Sequence, residues 1–238
     1  MFAFLFTESG DIIIFIPKEK TMKKILLLFT FSLAIMLLTA QNSPVVFEEL
    51  TETHEVFETI KTRRSIREFE TRDVSNDTIE LLIRAAQWAP SSRNTQTWRF
   101  IVVKDHTKRT KIAKAAFKKY DDGSGDYEAT KKYLGMEAPV QVFVFNDTLR
   151  SANPSGDAIG CYAATQNLLL AAKDLGLGTC WQAMPMAAGT VIDKMLNVPE
   201  HFDLVATVAL GYPAEHPKTK ARKHKLEEIL WFENYQPE

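Results

Sequence analysis

The sequence predicts one domain of mixed helix and sheet, its sheet covered by helices on both faces. Three observations lead there. Residues 99–104 (RFIVVK), 140–146 (VQVFVFN) and 204–210 (LVATVAL) are β-branched and aromatic runs of strand length. Their almost continuous apolar character is that of strands buried on both sides. Helical apolar spacing fills the intervals between them. The chain has 238 residues, 45% hydrophobic and 25% charged, enough for one large core, and no linker or repeat divides residues 53–235.

The N-terminal forty residues read differently. Met22-Lys23-Lys24 precedes an apolar run, 25–40 (ILLLFTFSLAIMLLTA), ending in small or polar residues, which is the pattern of a signal peptide cut after Ala40. The run is shorter than the roughly 20 residues that span a bilayer comfortably; an uncleaved membrane anchor is the second reading. A cleaved signal exports the protein to the periplasm, and an anchor keeps it on the membrane. Residues 1–21 stand awkwardly upstream and read as an over-extension before a true start at Met22. Residues 41–52 form a linker, and 53–238 the folded domain.

The first helix of that domain is expected over 53–63, with Thr53 as cap and Val56, Phe57 and Ile60 as its stripe. Ser75 or Asp77 caps the next, whose Ile79, Leu82, Ile83 and Ala86 follow i, i+3, i+4, i+7 spacing until Pro90 stops it. A charged helix spans 107–119. Asp121, Asp122, Gly123, Gly125 and Asp126 follow without EF-hand spacing or its terminal Glu, and read as a mobile surface loop. Residues 157–175 have hardly a polar residue on any face, which marks a buried central helix closed by Gly176. A short amphipathic helix covers 190–196, and after a basic stretch the chain ends in an apolar-aromatic run, 226–235, that needs something to pack on.

Composition excludes several chemistries. A net charge of -1 gives no basic face for nucleic acid. The five dispersed histidines and two cysteines form no metal-ligand spacing, so no metal is expected. Gly176-Leu177-Gly178 follows a helix and lacks a third spaced glycine, which rejects a dinucleotide fingerprint. No P-loop or GxSxG elbow occurs, and Cys180, without an adjacent base, reads as a buried inert thiol. What remains is a set of hydrogen-bonding clusters. Arg63, Arg64, Ser65 and Arg67 put three planar donor forks and a hydroxyl after a helix. The segment 89–100 (APSSRNTQTWRF) gathers polar groups between a helix and a strand, at the lip of a core.

The joint order of RRSIR, APSSRNTQTW, an apolar helix leading to GLGTCW, a strand ending in LGYP, and a basic patch before LEEI resembles the FMN-dependent nitroreductase family over about residues 56–231. The resemblance implies an α+β fold with a mostly antiparallel central sheet covered by helices, and a homodimer with its C-terminal segment on the partner subunit. It implies FMN as cofactor, held by Arg63, Arg64, Ser65 and Arg67 at its phosphate, ribityl chain and pyrimidine edge, with Arg222 on the phosphate and Lys220 or Lys223 nearby. Pro90, Ser91, Ser92, Asn94 and Gln96 match the motif that reaches the flavin, in part the partner's. Trp181, Gln182 and Ala183 match the wall beside the ring. No side chain is assigned as catalytic, because the flavin carries the chemistry.

The activity so implied is hydride transfer from NADH or NADPH through the flavin to a small organic acceptor, such as a nitroaromatic or quinone. Flavin binding without nucleotide turnover, and reductive dehalogenation or flavin cleavage, are the alternatives. Thr97 stands where the family often has proline and Ala183 where glycine is common. The apolar N-terminus also sits uneasily with a reductant that is scarce outside the cytoplasm. A start at Met22 predicts that mass spectrometry of the native protein finds no peptide from residues 2–20; such a peptide refutes it.

Overall fold

The computed structural model describes residues 3–6, 12–15, 54–121, 125–151, 153–182, 188–218 and 221–235. It divides into two units, Met1–Glu49 with Lys220–Glu238, and Leu50–Thr219. In the first, β1 (Ala3–Phe6) and β2 (Ile12–Phe15) pair antiparallel, Ala3 opposite Phe15. The same unit contains a 3-10 turn, Leu226–Glu228, and an edge-on contact of the Trp231 and Tyr235 rings at 4.7 Å. The expected signal or anchor at 22–40 and the linker at 41–52 lie outside the described residues. Among the described residues no helix is long and apolar enough to cross a membrane.

The second unit runs α1 (Glu55–Thr62), α2 (Asn76–Ala86), β3 (Trp98–Val103), α3 (His106–Tyr120), α4 (Tyr127–Leu134), β4 (Val140–Asp147), α5 (Pro154–Asp174), β5 (Gly178–Gln182), α6 (Gly189–Leu196) and β6 (Phe202–Gly211). Its sheet has the order β3-β4-β6-β5, and every neighbouring pair is antiparallel. Val142 lies opposite Val208, and Cys180 opposite Ala209.

Side chains alternate across this sheet, and both faces are covered. Val140, Val142, Val144, Val208 and Leu210 pack with Leu82 of α2 and with Ala164, Leu168 and Ala172 of α5. Phe143, Phe145 and Val103 pack on the opposite side with Ile112 and Ala116 of α3 and Ile192 of α6. The unbroken apolar strand runs follow from this, since neither side meets water. Each fully buried large apolar side chain contributes about 1.5–3 kcal/mol. This is the expected α+β sheet with helices on both faces.

Several details differ from expectation. The first helix starts at Glu55 with His54 at its N-cap, and no side chain caps it; Thr53 lies outside the described residues. Two of its three stripe residues face outward: Val56 and Ile60 are exposed, Phe57 is half-buried, and no residue of α1 is fully buried. Of the two candidate caps for α2, Ser75 does the work: its Oγ accepts the Thr78 N–H at 3.1 Å. Of the loop expected at 121–126, residues 122–124 lie outside the described residues, and its last residue starts a helix: Asp126 Oδ1 accepts the N–H groups of Glu128 and Ala129 at 2.8 and 3.3 Å and caps α4. GLGTCW contains β5, too short and too rich in glycine and polar residues to show strand periodicity. The central helix begins earlier, at Pro154, and is not buried all round: Ile159 is 66% and Tyr162 40% exposed.

Candidate functional site

β5 is an edge strand, so one of its sides has hydrogen-bonding groups that β6 does not use. The Arg63–Arg67 segment takes that side. Ser65 bridges Thr179 in parallel, and the Ile66 N–H donates to the Thr179 carbonyl at 2.9 Å. Gly178 permits the approach: a Cβ there would lie 2.8 Å from Ile66 Cβ. Just downstream the chain is pinned to the end of β6, with Glu70 N–H donating to the Tyr212 carbonyl at 2.9 Å and Ala214 N–H to the Glu68 carbonyl at 3.0 Å. Glu215 Oε1 accepts the backbone N–H groups of Arg67 and Glu68 at 2.8 and 3.3 Å. Glu215 carried no recognisable signal in the sequence, since its partners are 148 and 147 residues away.

Within this rigid segment Arg64 Nη1 donates to the carbonyls of Lys61 and Arg63 at 2.5 and 2.7 Å. Its Nε and Nη2 are buried and have no hydrogen-bond partner among the described residues. A buried charged donor left unsatisfied costs at least about 1–3 kcal/mol. The guanidinium therefore fits a ligand that brings anionic or carbonyl acceptors to it.

The polar lip is built differently. Between Ser91 and β3 the backbone turns through a 3-10 segment, Ser92–Asn94, and three non-glycine residues take left-handed conformations: Arg93 at φ 49°, Asn94 at 58° and Gln96 at 49°. Arg93 and Gln96 each cost roughly 1–2 kcal/mol there, whereas asparagine visits this region readily. Ser91 Oγ accepts the Gln96 N–H at 3.1 Å, and Gln96 Nε2 donates to Asn94 Oδ1 at 2.9 Å. Pro90, Ser92, Asn94 and Gln96 are exposed, so the loop turns its polar groups outward. It rests on α5 at Gly160, where a Cβ would meet Ser91 Cβ at 3.2 Å.

Two residues further along α5, the Tyr162 ring lies 5.9 Å from that of Trp181, the one exposed residue of β5. Gln182, its neighbour, is fully buried, and its carbonyl accepts the Thr207 Oγ1 hydroxyl at 2.8 Å. Strand alternation sends the Trp181 and Gln182 side chains to opposite faces, so they do not form one side-chain wall. Ala183 and Lys220 lie outside the described residues, and Arg222 and Lys223 belong to the first unit. The second unit thus joins Arg63–Arg67 to Trp181 through β5, and 90–96 to Trp181 through α5.

The nitroreductase family model matches residues 60–212, which include both segments and β5. The chain belongs to the nitroreductase family. It is 35% identical to a provisionally named NADH dehydrogenase/NAD(P)H nitroreductase of Methanothermobacter thermautotrophicus, over 70% of this chain and 81% of the relative. A provisionally named nitroreductase of Desulfovibrio desulfuricans, solved in complex with FMN, has a TM-score of 0.65 at 28% identity, covering 78% of this chain and 100% of the other. An iodotyrosine deiodinase of Nematostella vectensis is 26% identical over 79% of this chain and 78% of its own. The antiparallel sheet and its helices are thus those of the nitroreductase fold.

Both thiols of this nitroreductase-family chain lie next to the site, and both are buried. Burial pushes the Cys180 thiol above its ordinary value of 9.0, with Arg67 and Arg63 pulling the other way. Burial likewise raises Cys161, against a hydrogen bond with Thr97 and the charge of Arg99. Both should be silent to a disulfide reagent at neutral pH in the folded protein and react once it is unfolded. The sign for stability follows: the unfolded thiols lose their protons first, so their contribution is complete below pH 9 and declines as pH rises above it. Rapid labelling of Cys180 in the native state would contradict the assigned burial.

Proposed function

We propose that this chain is an FMN-dependent oxidoreductase that moves hydride from NADH or NADPH to a small organic acceptor, such as a nitroaromatic or quinone, as a homodimer. The observation that carries the reading is the pair of buried, unsatisfied guanidinium nitrogens of Arg64, on a segment clamped to β5. The name of the Methanothermobacter relative and the FMN bound in the Desulfovibrio structure support it.

FMN, when bound, supplies the acceptor and donor of hydride. The residues of the chain then hold it. Arg63, Arg64, Ser65 and Arg67 offset the phosphate charge and donate to the ribityl chain and pyrimidine edge, where cationic and N–H donors favour the reduced ring. Arg222 adds positive charge at the phosphate. Pro90, Ser91, Ser92, Asn94 and Gln96 would reach the flavin, in part that of the partner subunit, and the segment Trp181, Gln182 and Ala183 would stand beside the ring.

Dimerisation has its own support in the apolar side chains that one chain leaves in water: Val56 and Ile60 on α1, Ile159 and Tyr162 on α5, and Leu226, Phe232 and Tyr235 in the C-terminal segment. In this reading the C-terminal segment packs on the partner. The apolar segment at 25–40 directs the protein to the periplasm or holds it at a membrane. Dehalogenation is the second reading, and the deiodinase relative is what favours it.

The purified protein should be yellow, or become so on reconstitution with FMN, and one or both of NADH and NADPH should bleach it under anaerobic conditions. A protein that cannot be loaded with FMN overturns the reading, and a loaded protein bleached by neither nucleotide leaves flavin binding without that turnover. Arg64→Ala should weaken FMN binding by about 1.5–3 kcal/mol, the loss of charge-assisted bonds, as measured by titration of the apoprotein. Unchanged affinity removes Arg64 from the site.

A further inference from the structure

We propose that Arg99 and Asp147 are positioning residues that hold the 90–96 loop in its left-handed backbone; the inference rests on the assignment of that loop to the flavin. Neither side chain is among the residues assigned to the flavin, although Arg99 follows directly on the APSSRNTQTW motif.

Asp147 closes β4, and it is 5% exposed. Its Oδ2 accepts from Arg99 Nη2 at 2.7 Å and forms an ion pair with Arg150, whose Nε lies 3.3 Å away, and His201 Nε2 lies 4.0 Å from Oδ1. Arg99 uses its other terminal nitrogen elsewhere: Nη1 donates to the carbonyls of Trp98 at 2.7 Å and Gln96 at 3.3 Å. One planar fork therefore joins a buried carboxylate to the carbonyl of a residue at positive φ, which a lysine, with a single nitrogen, cannot reproduce in the same geometry. The Asp147 N–H donates to the Thr97 carbonyl at 2.9 Å and ties the same two strand ends by backbone. The Arg99 ion pair is partly screened by water on the arginine side, so its strength as a salt bridge is small. Its geometric role is separate from that strength.

The other side of the loop meets a second buried carboxylate. Asp157, in the first turn of α5 and 1% exposed, accepts from Thr95 Oγ1 at 3.5 Å, Ser151 Oγ at 2.7 Å and the Asn153 N–H at 3.3 Å. Thr95 lies between the left-handed Asn94 and Gln96. Asp147 and Asp157, at the two ends of the β4–α5 connection, thus brace adjacent residues of one strained loop. The polar groups that the loop turns outward are thus aimed by two buried carboxylates.

The test compares the FMN-loaded proteins Arg99→Ala, Arg99→Lys and Arg150→Ala with the wild type. Arg150 meets the same carboxylate but is not bonded to the loop, so Arg150→Ala should leave flavin and kinetics unchanged. Arg99→Ala should alter the visible circular dichroism of bound FMN and lower turnover with the preferred nucleotide roughly ten-fold, mainly in kcat, as expected when reacting groups are slightly misplaced. Arg99→Lys should fall between, since it keeps the charge but not the fork; it also serves if the alanine variant does not fold. Wild-type dichroism and kcat in both Arg99 variants overturn the inference, even if their thermal midpoints drop. Equal damage from Arg150→Ala overturns it too, because charge at Asp147 and not the tether would then matter. A wild type that binds no FMN overturns the proposed function instead.

Discussion

The candidate site depends on one exposed strand edge. β5 ends the four-stranded sheet, and an edge strand leaves carbonyls and N–H groups in need of partners. The chain after α1 supplies one, through the Ser65–Thr179 bridge and the Ile66 N–H to the Thr179 carbonyl. Arg63, Arg64 and Arg67 are thereby mounted on the sheet instead of on a solvated loop. Without Gly178 the two backbones could not come so close, and without Glu215 two N–H groups of the segment would lack their acceptor.

Such a mount permits local arrangements that are unfavourable on their own. Arg64 keeps buried donors without partners among the described residues, and the 90–96 loop keeps three left-handed residues without glycine. Costs of this kind persist where the surrounding structure over-determines them. Here the surroundings are a sheet packed on both faces, with Phe143, Phe145, Leu168 and Ile192 fully buried, and the two carboxylates at the ends of the β4–α5 connection.

The legible parts of the chain were those whose signal is local. Strands β3, β4 and β6 announced themselves because apolar runs buried on both sides need no periodicity to stand out, and α2 was announced by two candidate caps, Ser75 and Asp77, of which Ser75 is the one used. β5 did not, since GTCWQ mixes glycine, polar and aromatic residues in five positions. α4 was hidden behind a run of aspartates and glycines that reads as loop, although Asp126 within that run is its cap. The apolar residues of α1 and α5 were readable as core positions, but the sequence could not tell a core from a face left uncovered in one chain.

The sequence by itself determined the class of the sheet, the family, and which short segments carry hydrogen-bonding groups, because composition and local spacing decide those. Only the tertiary structure decided how the segments are joined. Ser65 meets Thr179, Ser91 meets Gly160, Arg67 meets Glu215 and Arg99 meets Asp147 across 48 to 148 residues of chain. Long-range pairings of this kind depend on which strand is left at the edge and which helix crosses it, and no local propensity encodes that.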